Sequence, residues 1–137
     1  MSEHLARIYY RTDGHCHICG KKLSLVNFAR FGWKGAWERD HSNAWANGGT
    51  DGFGNLYAAC ISCNRRKGTA SSRTARRWHG RRRAPLSRVA KQEIKTENSV
   101  GLAAIGGLVG GRLWGPWGMV FLTAAGYLLG RSIDPDD

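Results

Sequence analysis

The sequence predicts an α+β fold: a small stapled domain at the front, a basic connecting stretch, and a glycine-rich helical hairpin at the C-terminal end. Three observations predict it. The four cysteines form two C-x-x-C pairs, Cys16 with Cys19 and Cys60 with Cys63. Two short strand-like runs, Ala36 to His41 and Leu56 to Ala59, precede a helix-like run from Cys60 to about Ser71. From Ser99 to Gly130 the only charged residue is Arg112, so the composition breaks sharply at Ser99.

These features divide the 137 residues into 1–72, a basic arm over 73–98 and an apolar segment over 99–133. A chain of this length holds one compact core and an appendage, and the core is small enough to need a staple. The cysteines supply it. Four thiolates in C-x-x-C pairs satisfy tetrahedral zinc and leave no open position, so Cys16, Cys19, Cys60 and Cys63 are read as ligands of a structural ion. Neither pair is followed by His, which excludes haem attachment. The opening Met1 to Tyr10 carries Glu3, His4 and Arg7 and does not read as a secretory leader. A reducing cytosol is therefore the expected location, where such cysteines bind metal rather than form disulfides.

The formal net charge is +11, and it is uneven. Residues 1–98 hold 19 Lys and Arg against 7 Asp and Glu, whereas the rest holds Arg112 and Arg131 against three aspartates. Such a field favours a polyanion, with nucleic acid first and an anionic membrane surface second. Ser71 to Lys95 has nine basic residues and only Glu93 as an acid, and reads as a phosphate-contacting arm. The residues expected to touch nucleic acid are Arg65, Arg66, Lys67, Arg73, Arg76, Arg77, Arg81, Arg82 and Arg83.

Along the chain, Ser2 caps a short helix to Arg11, with Gly14 beyond its end. Asp13 to Leu23 is a metal knuckle, in which a glycine after the second cysteine lets the backbone turn toward both sulfurs. Ser42 to Asn55 is a loop rich in Asn and Gly. Trp33, Trp37, Trp45 and Trp78 are expected to pack the small core rather than stack on bases. His4, His15, His17 and His79 are expected at the surface or on phosphates.

The order of motifs is specific: a cysteine pair, Asp40-His41, Gly48-Gly49, Asn55-Leu56, a second cysteine pair, then Asn64 and Lys67-Gly68. It resembles the HNH endonuclease family, with its ββα-metal fold, over about Leu5 to Gly68. The resemblance implies hydrolysis of DNA phosphodiester bonds. It implies His41 as the general base, Asn55 as the residue that braces the loop and orients the base, and Asp40 and Asn64 as ligands of a catalytic divalent ion. Asn64 offers a neutral hard oxygen, so that ion is expected to be Mg²⁺ or Mn²⁺. Ser42-Asn43 stands where the family commonly has an apolar residue and a nearby proline. Neighbours on a regular strand face opposite ways, so the strand is expected to end or bulge at Asp40 and His41.

In the tail, glycines recur four apart (Gly106 and Gly110, Gly107 and Gly111, Gly126 and Gly130), and Trp114 to Gly118, with Pro116, divides it. Such spacing lets helix backbones approach closely and resembles the glycine-zipper segments of small membrane proteins. Val100 to Leu113 would be about 21 Å long, against about 30 Å of bilayer hydrocarbon. Membrane association or self-association through 99–133 is expected, which adds the inner face of the membrane to the cytoplasm as a location. No small-molecule cofactor is implied. Two alternatives stand beside the nuclease: a non-catalytic, zinc-stabilised nucleic-acid binder, and a membrane-associated oligomerising protein.

Overall fold

The computed structural model describes residues 1–133 and 135, and the chain divides into two compact units, Met1–Arg88 and the stretch from Val89 onward. In the first, helix α1 (Glu3–Tyr10) begins at Ser2, whose hydroxyl accepts from the Leu5 N–H. It buries Ile8 and Tyr9, and the Tyr9 hydroxyl donates to the Leu23 carbonyl at 2.8 Å. Just past its end, the Arg11 guanidinium donates to the carbonyls of Phe53, Gly54 and Leu56 and to the Tyr57 hydroxyl. One side chain thus ties α1 to the start of the second strand.

Strands β1 (Trp37–His41) and β2 (Leu56–Cys60) pair antiparallel, with Trp37 opposite Cys60, Asp40 opposite Tyr57 and His41 opposite Leu56. Helix α2 (Ile61–Lys67) follows β2 directly and stops at Gly68, whose φ of 52° few other residues adopt. Cys60 is therefore the last residue of β2 and the N-cap of α2, not part of the helix as expected. The core lies between α1, the sheet and α2, around Trp37, Ile8, Ile18 and Leu56, each almost wholly buried.

The basic arm expected from residue 73 is, as far as Arg88, part of this unit. Helix α3 (Ser72–Arg77), capped by Ser71, packs Ala75 fully into the core. Sequence reading missed α3 because its dense arginines hide the single alanine that docks it.

In the second unit, α4 (Arg88–Ser132) leaves helical geometry at Trp114 and at Gly115, with φ of 65°, immediately before Pro116. Proline has no N–H to give a helix interior but fits the first turn of a new one. The run after Pro116 lies antiparallel against the run before it. Gly110 meets the backbone of Gly118, Gly106 that of Leu122, Gly126 that of Leu102, and Gly130 that of Ser99. A Cβ at any of these glycines would strike backbone. Bulky apolar side chains face outward: Leu108 is 77 % exposed, Trp117 76 % and Phe121 72 %. No helix of the described residues is long and apolar enough to cross a membrane.

Gly110→Val should drive these backbones apart at a cost of about 1–3 kcal/mol, the usual range for overpacking. Amide hydrogen exchange of residues 99–130 should accelerate about tenfold or more while 1–88 is unchanged; unaltered protection would contradict the close approach.

Candidate metal centre and basic site

Two pieces of chain bring the cysteines together. In the knuckle, Cys16 N donates to Lys21 O and Gly20 N to Cys16 O, both at 2.8 Å, and Gly20 takes a φ of 76° so that the turn closes. Cys60 and Cys63 come from the end of β2 and the first turn of α2. The knuckle is fastened to β2 by His17 N donating to Ala58 O at 3.0 Å. All four sulfurs lie within 4.8 Å of one another, and Cys60 Sγ is 3.6 Å from both Cys16 and Cys19 Sγ. Tetrahedral zinc with bonds of about 2.3 Å needs sulfurs about 3.8 Å apart, so the set fits.

Crowding of the thiols spreads their pKa values apart. Hydrogen bonds among the sulfurs, with Cys16 the leading partner, hold Cys60 far below an ordinary thiol and bring Cys19 down to about 7, while they push Cys63 up; the bond with Cys19 does the same to Cys16. A zinc ion at their centre would hold all four as thiolates. The His79 ring, expected at the surface, has Nε2 3.8 Å from Cys63 Sγ.

Beside this cluster, β1 and α2 meet in a two-rung ladder. Residues two apart on a strand share a face, and residues three apart on a helix share a face. Glu38 accordingly meets Asn64, whose Nδ2 donates to Glu38 Oε1 at 3.0 Å and to the Arg39 carbonyl at 3.3 Å. Asp40 meets Lys67, with Nζ 2.9 Å from Oδ1 and 2.8 Å from the His41 carbonyl. The other Asp40 oxygen lies 2.6 Å from His17 Nε2. Arg76 donates from Nη2 to His17 Nδ1 at 3.0 Å and from Nε to the His17 carbonyl at 2.9 Å. Since Nδ1 accepts, Nε2 carries the ring proton and gives it to Asp40, so His17 is neutral. Burial, which holds its pKa below the usual value, acts the same way.

Several side chains lie elsewhere than the sequence led one to expect. Asp40 does not meet Asn64: it is 2 % exposed and both its oxygens are engaged. Lys67 is buried on Asp40, Arg76 is turned inward onto His17, and His17 itself is fully buried, so none of the three lies on an outer face. The strand ends at His41, one of the two expected outcomes, and no bulge separates Asp40 from His41. Pairing is regular through His41, so the two side chains point to opposite faces of the sheet. Of the four tryptophans, only Trp37 packs the core; Trp33 and Trp45 are more than half exposed and Trp78 nearly so.

On the other face, His41 Nε2 is 2.8 Å from Asp51 Oδ1, and that hydrogen bond holds the Asp51 carboxyl below its usual range. Asn55 clamps the loop between them. Its Oδ1 accepts from Asn43 N at 2.7 Å, and its Nδ2 donates to the carbonyls of Asn43 and Thr50, both at 2.9 Å. Asp51 was not singled out in the sequence, although it follows the Gly48-Gly49 turn that brings the loop back toward β1.

Residues 16–70 match the family model described as HNH endonuclease, a span from the first cysteine of the cluster to just beyond α2. No curated protein and no solved structure matches the chain.

Lys67→Met should leave a buried carboxylate without its cation and cost about 3–5 kcal/mol. Urea unfolding of the zinc-loaded protein measures it, and adding Asp40→Asn should recover part of the loss. A cost below about 1 kcal/mol would mean that the pair is not buried as described.

Proposed function

We propose that residues 16–70 form a metal-dependent endonuclease that hydrolyses DNA phosphodiester bonds, with His41 as general base. The observation that carries this reading is the dyad of His41 and Asp51, held by the Asn55 clamp on the sheet face opposite the buried ladder. With Asp51 accepting from Nε2–H, Nδ1 is the nitrogen left to take a proton from an attacking water. The Asp51 carboxylate fixes the ring and stabilises the imidazolium that forms. Asn55 keeps Asp51 in place through the backbones of Asn43 and Thr50, and Lys67 holds the His41 carbonyl from behind.

A catalytic Mg²⁺ or Mn²⁺, when bound, would stabilise charge on the phosphate and on the leaving oxygen. Asn64 keeps its expected ligand role here. Its amide lies against Glu38 Oε1 and the Arg39 carbonyl, so turning the amide over brings three hard oxygens together. Glu38 takes the ligand role expected of Asp40, because the Asp40 oxygens already hold His17 and Lys67. Asp40 then acts as a positioning residue.

Phosphate contact falls to the outward cations. Arg73, Arg77, Arg81 and Arg82 line one cleft of about 470 Å³. Arg65, Arg66 and Arg83 complete the set.

In a plasmid-nicking assay, cleavage should require Mg²⁺ or Mn²⁺ and fall about 10²–10⁴-fold in His41→Ala, while zinc stays at one per chain. Glu38→Gln should raise the Mg²⁺ concentration needed more than Asp40→Asn does. Nicking unaltered in His41→Ala would remove His41 as the base, and no metal-dependent nicking by the unaltered protein would leave a non-catalytic zinc-stabilised binder.

For the C-terminal unit we infer that lipid covers the apolar outside. The glycine faces are spent on each other, so what faces outward is bulky rather than small, with Leu108, Trp117 and Phe121 largely exposed. The cations of residues 71–95 suit an anionic headgroup surface. Full-length protein should float with anionic vesicles and a chain ending at Asn98 should not; concentration-dependent assembly without flotation would assign the same face to self-association.

A further inference from the structure

Beside the cysteine cluster lies a cleft of about 430 Å³, within the range of ligand pockets. Its walls include Phe31 and Trp33, and Lys21, Lys22 and Arg66 are its cations; no carboxylate lines it. Phe31 is 70 % exposed and Trp33 61 %. Among the described residues, none of the three cations has an acidic partner.

The loop that presents the two rings is built, not slack. Asn27 Nδ2 donates to the Lys34 carbonyl at 2.9 Å, and Ala29 N to Trp37 O at 2.8 Å. Trp33 N donates to Arg30 O, and Ala36 N back to Trp33 O. Gly35, at a φ of 71°, lies so close to Ser24 that a Cβ there would clash with its backbone nitrogen. Two large apolar rings are thus held in water by a satisfied backbone. A guanidinium lies over one face of each ring, Arg30 over Trp33 and Arg65 over Phe31.

We propose that this cleft is a stacking site for an unpaired nucleotide, and that the protein acts on DNA with a single-stranded stretch. Held aromatic faces among unpaired cations match a partner that is flat, apolar on its faces and anionic along its backbone. In a duplex the base faces are covered by their neighbours, so only an unstacked base can lie on Phe31 or Trp33. The cations that line the cleft, Lys21, Lys22 and Arg66, suit its phosphates. The cleft adjoins the proposed ion site, because Arg65 reaches from Phe31 to within 4.0 Å of Glu38, the partner of Asn64. As a statement about substrate class, this rests on the nuclease reading, but the stacking site can be tested by binding alone.

Full-length His41→Ala protein, which should bind without cutting, is titrated with fluorescently labelled oligothymidine and with a labelled duplex of the same length, read by anisotropy. The single strand should bind more tightly. Phe31→Ala with Trp33→Ala should weaken single-strand binding roughly tenfold or more, change duplex binding less than about twofold, and leave zinc content intact, and Trp33→Phe should restore much of the loss. Equal weakening on both probes, or no weakening on either, overturns the proposal. A retained single-strand preference in a protein that never nicks DNA would overturn the nuclease reading and leave the stacking site standing.

Discussion

The four sulfurs determine what else can be built in the first unit. They join a turn near the N-terminus to the seam between β2 and α2, two segments some forty residues apart, and leave a sheet of only two strands between them. A two-stranded sheet is marginal alone in water. Held at Cys60, β2 runs directly into α2, and this continuity fixes which helix residues look down on β1. The rungs from Glu38 to Asn64 and from Asp40 to Lys67 follow from that one constraint.

The buried rung carries charge into the interior, which is costly unless every polar atom is answered. Here Asp40 is answered on one side by Lys67 and on the other by neutral His17, which Arg76 supports in turn. Tyr57 completes the packing, stacked on His17 with the Arg11 guanidinium over its ring. The network links the knuckle, both strands, α2 and α3, and one of its members holds the backbone of His41. A surface residue at the end of a short strand thereby gains a fixed base to work from.

The sequence made the parts with a strong local signal legible. Ser2 as a cap, both strands and the cysteine set could all be read from spacing and composition, whereas the two units divide at Val89, ahead of the compositional break at Ser99. Asn55 could be singled out only through the family likeness, since an Asn in a glycine-rich loop has no local mark. What could not be read depends on which way a side chain turns. Asp40 and His41 are adjacent in sequence and lie on opposite faces of the sheet, and His17, Lys67 and Arg76 look like surface residues until a buried carboxylate accounts for them. Composition misled twice: arginine density hid α3 behind an apparent arm, and the demand for core volume assigned inside three tryptophans that the fold leaves at its surface.

Those tryptophans bear on how so small a domain divides its work. Trp37 alone, with Ile8, Ile18 and Leu56, fills a core that the metal cluster already closes, so the remaining large rings need not supply stability. The staple thus has a consequence beyond folding. It releases aromatic side chains from the interior and leaves them on hydrogen-bonded loops beside a surface rich in arginine, with Arg30 over Trp33 and Arg66 over Trp78. In a domain that had to bury every large ring to stay folded, such a surface could not form.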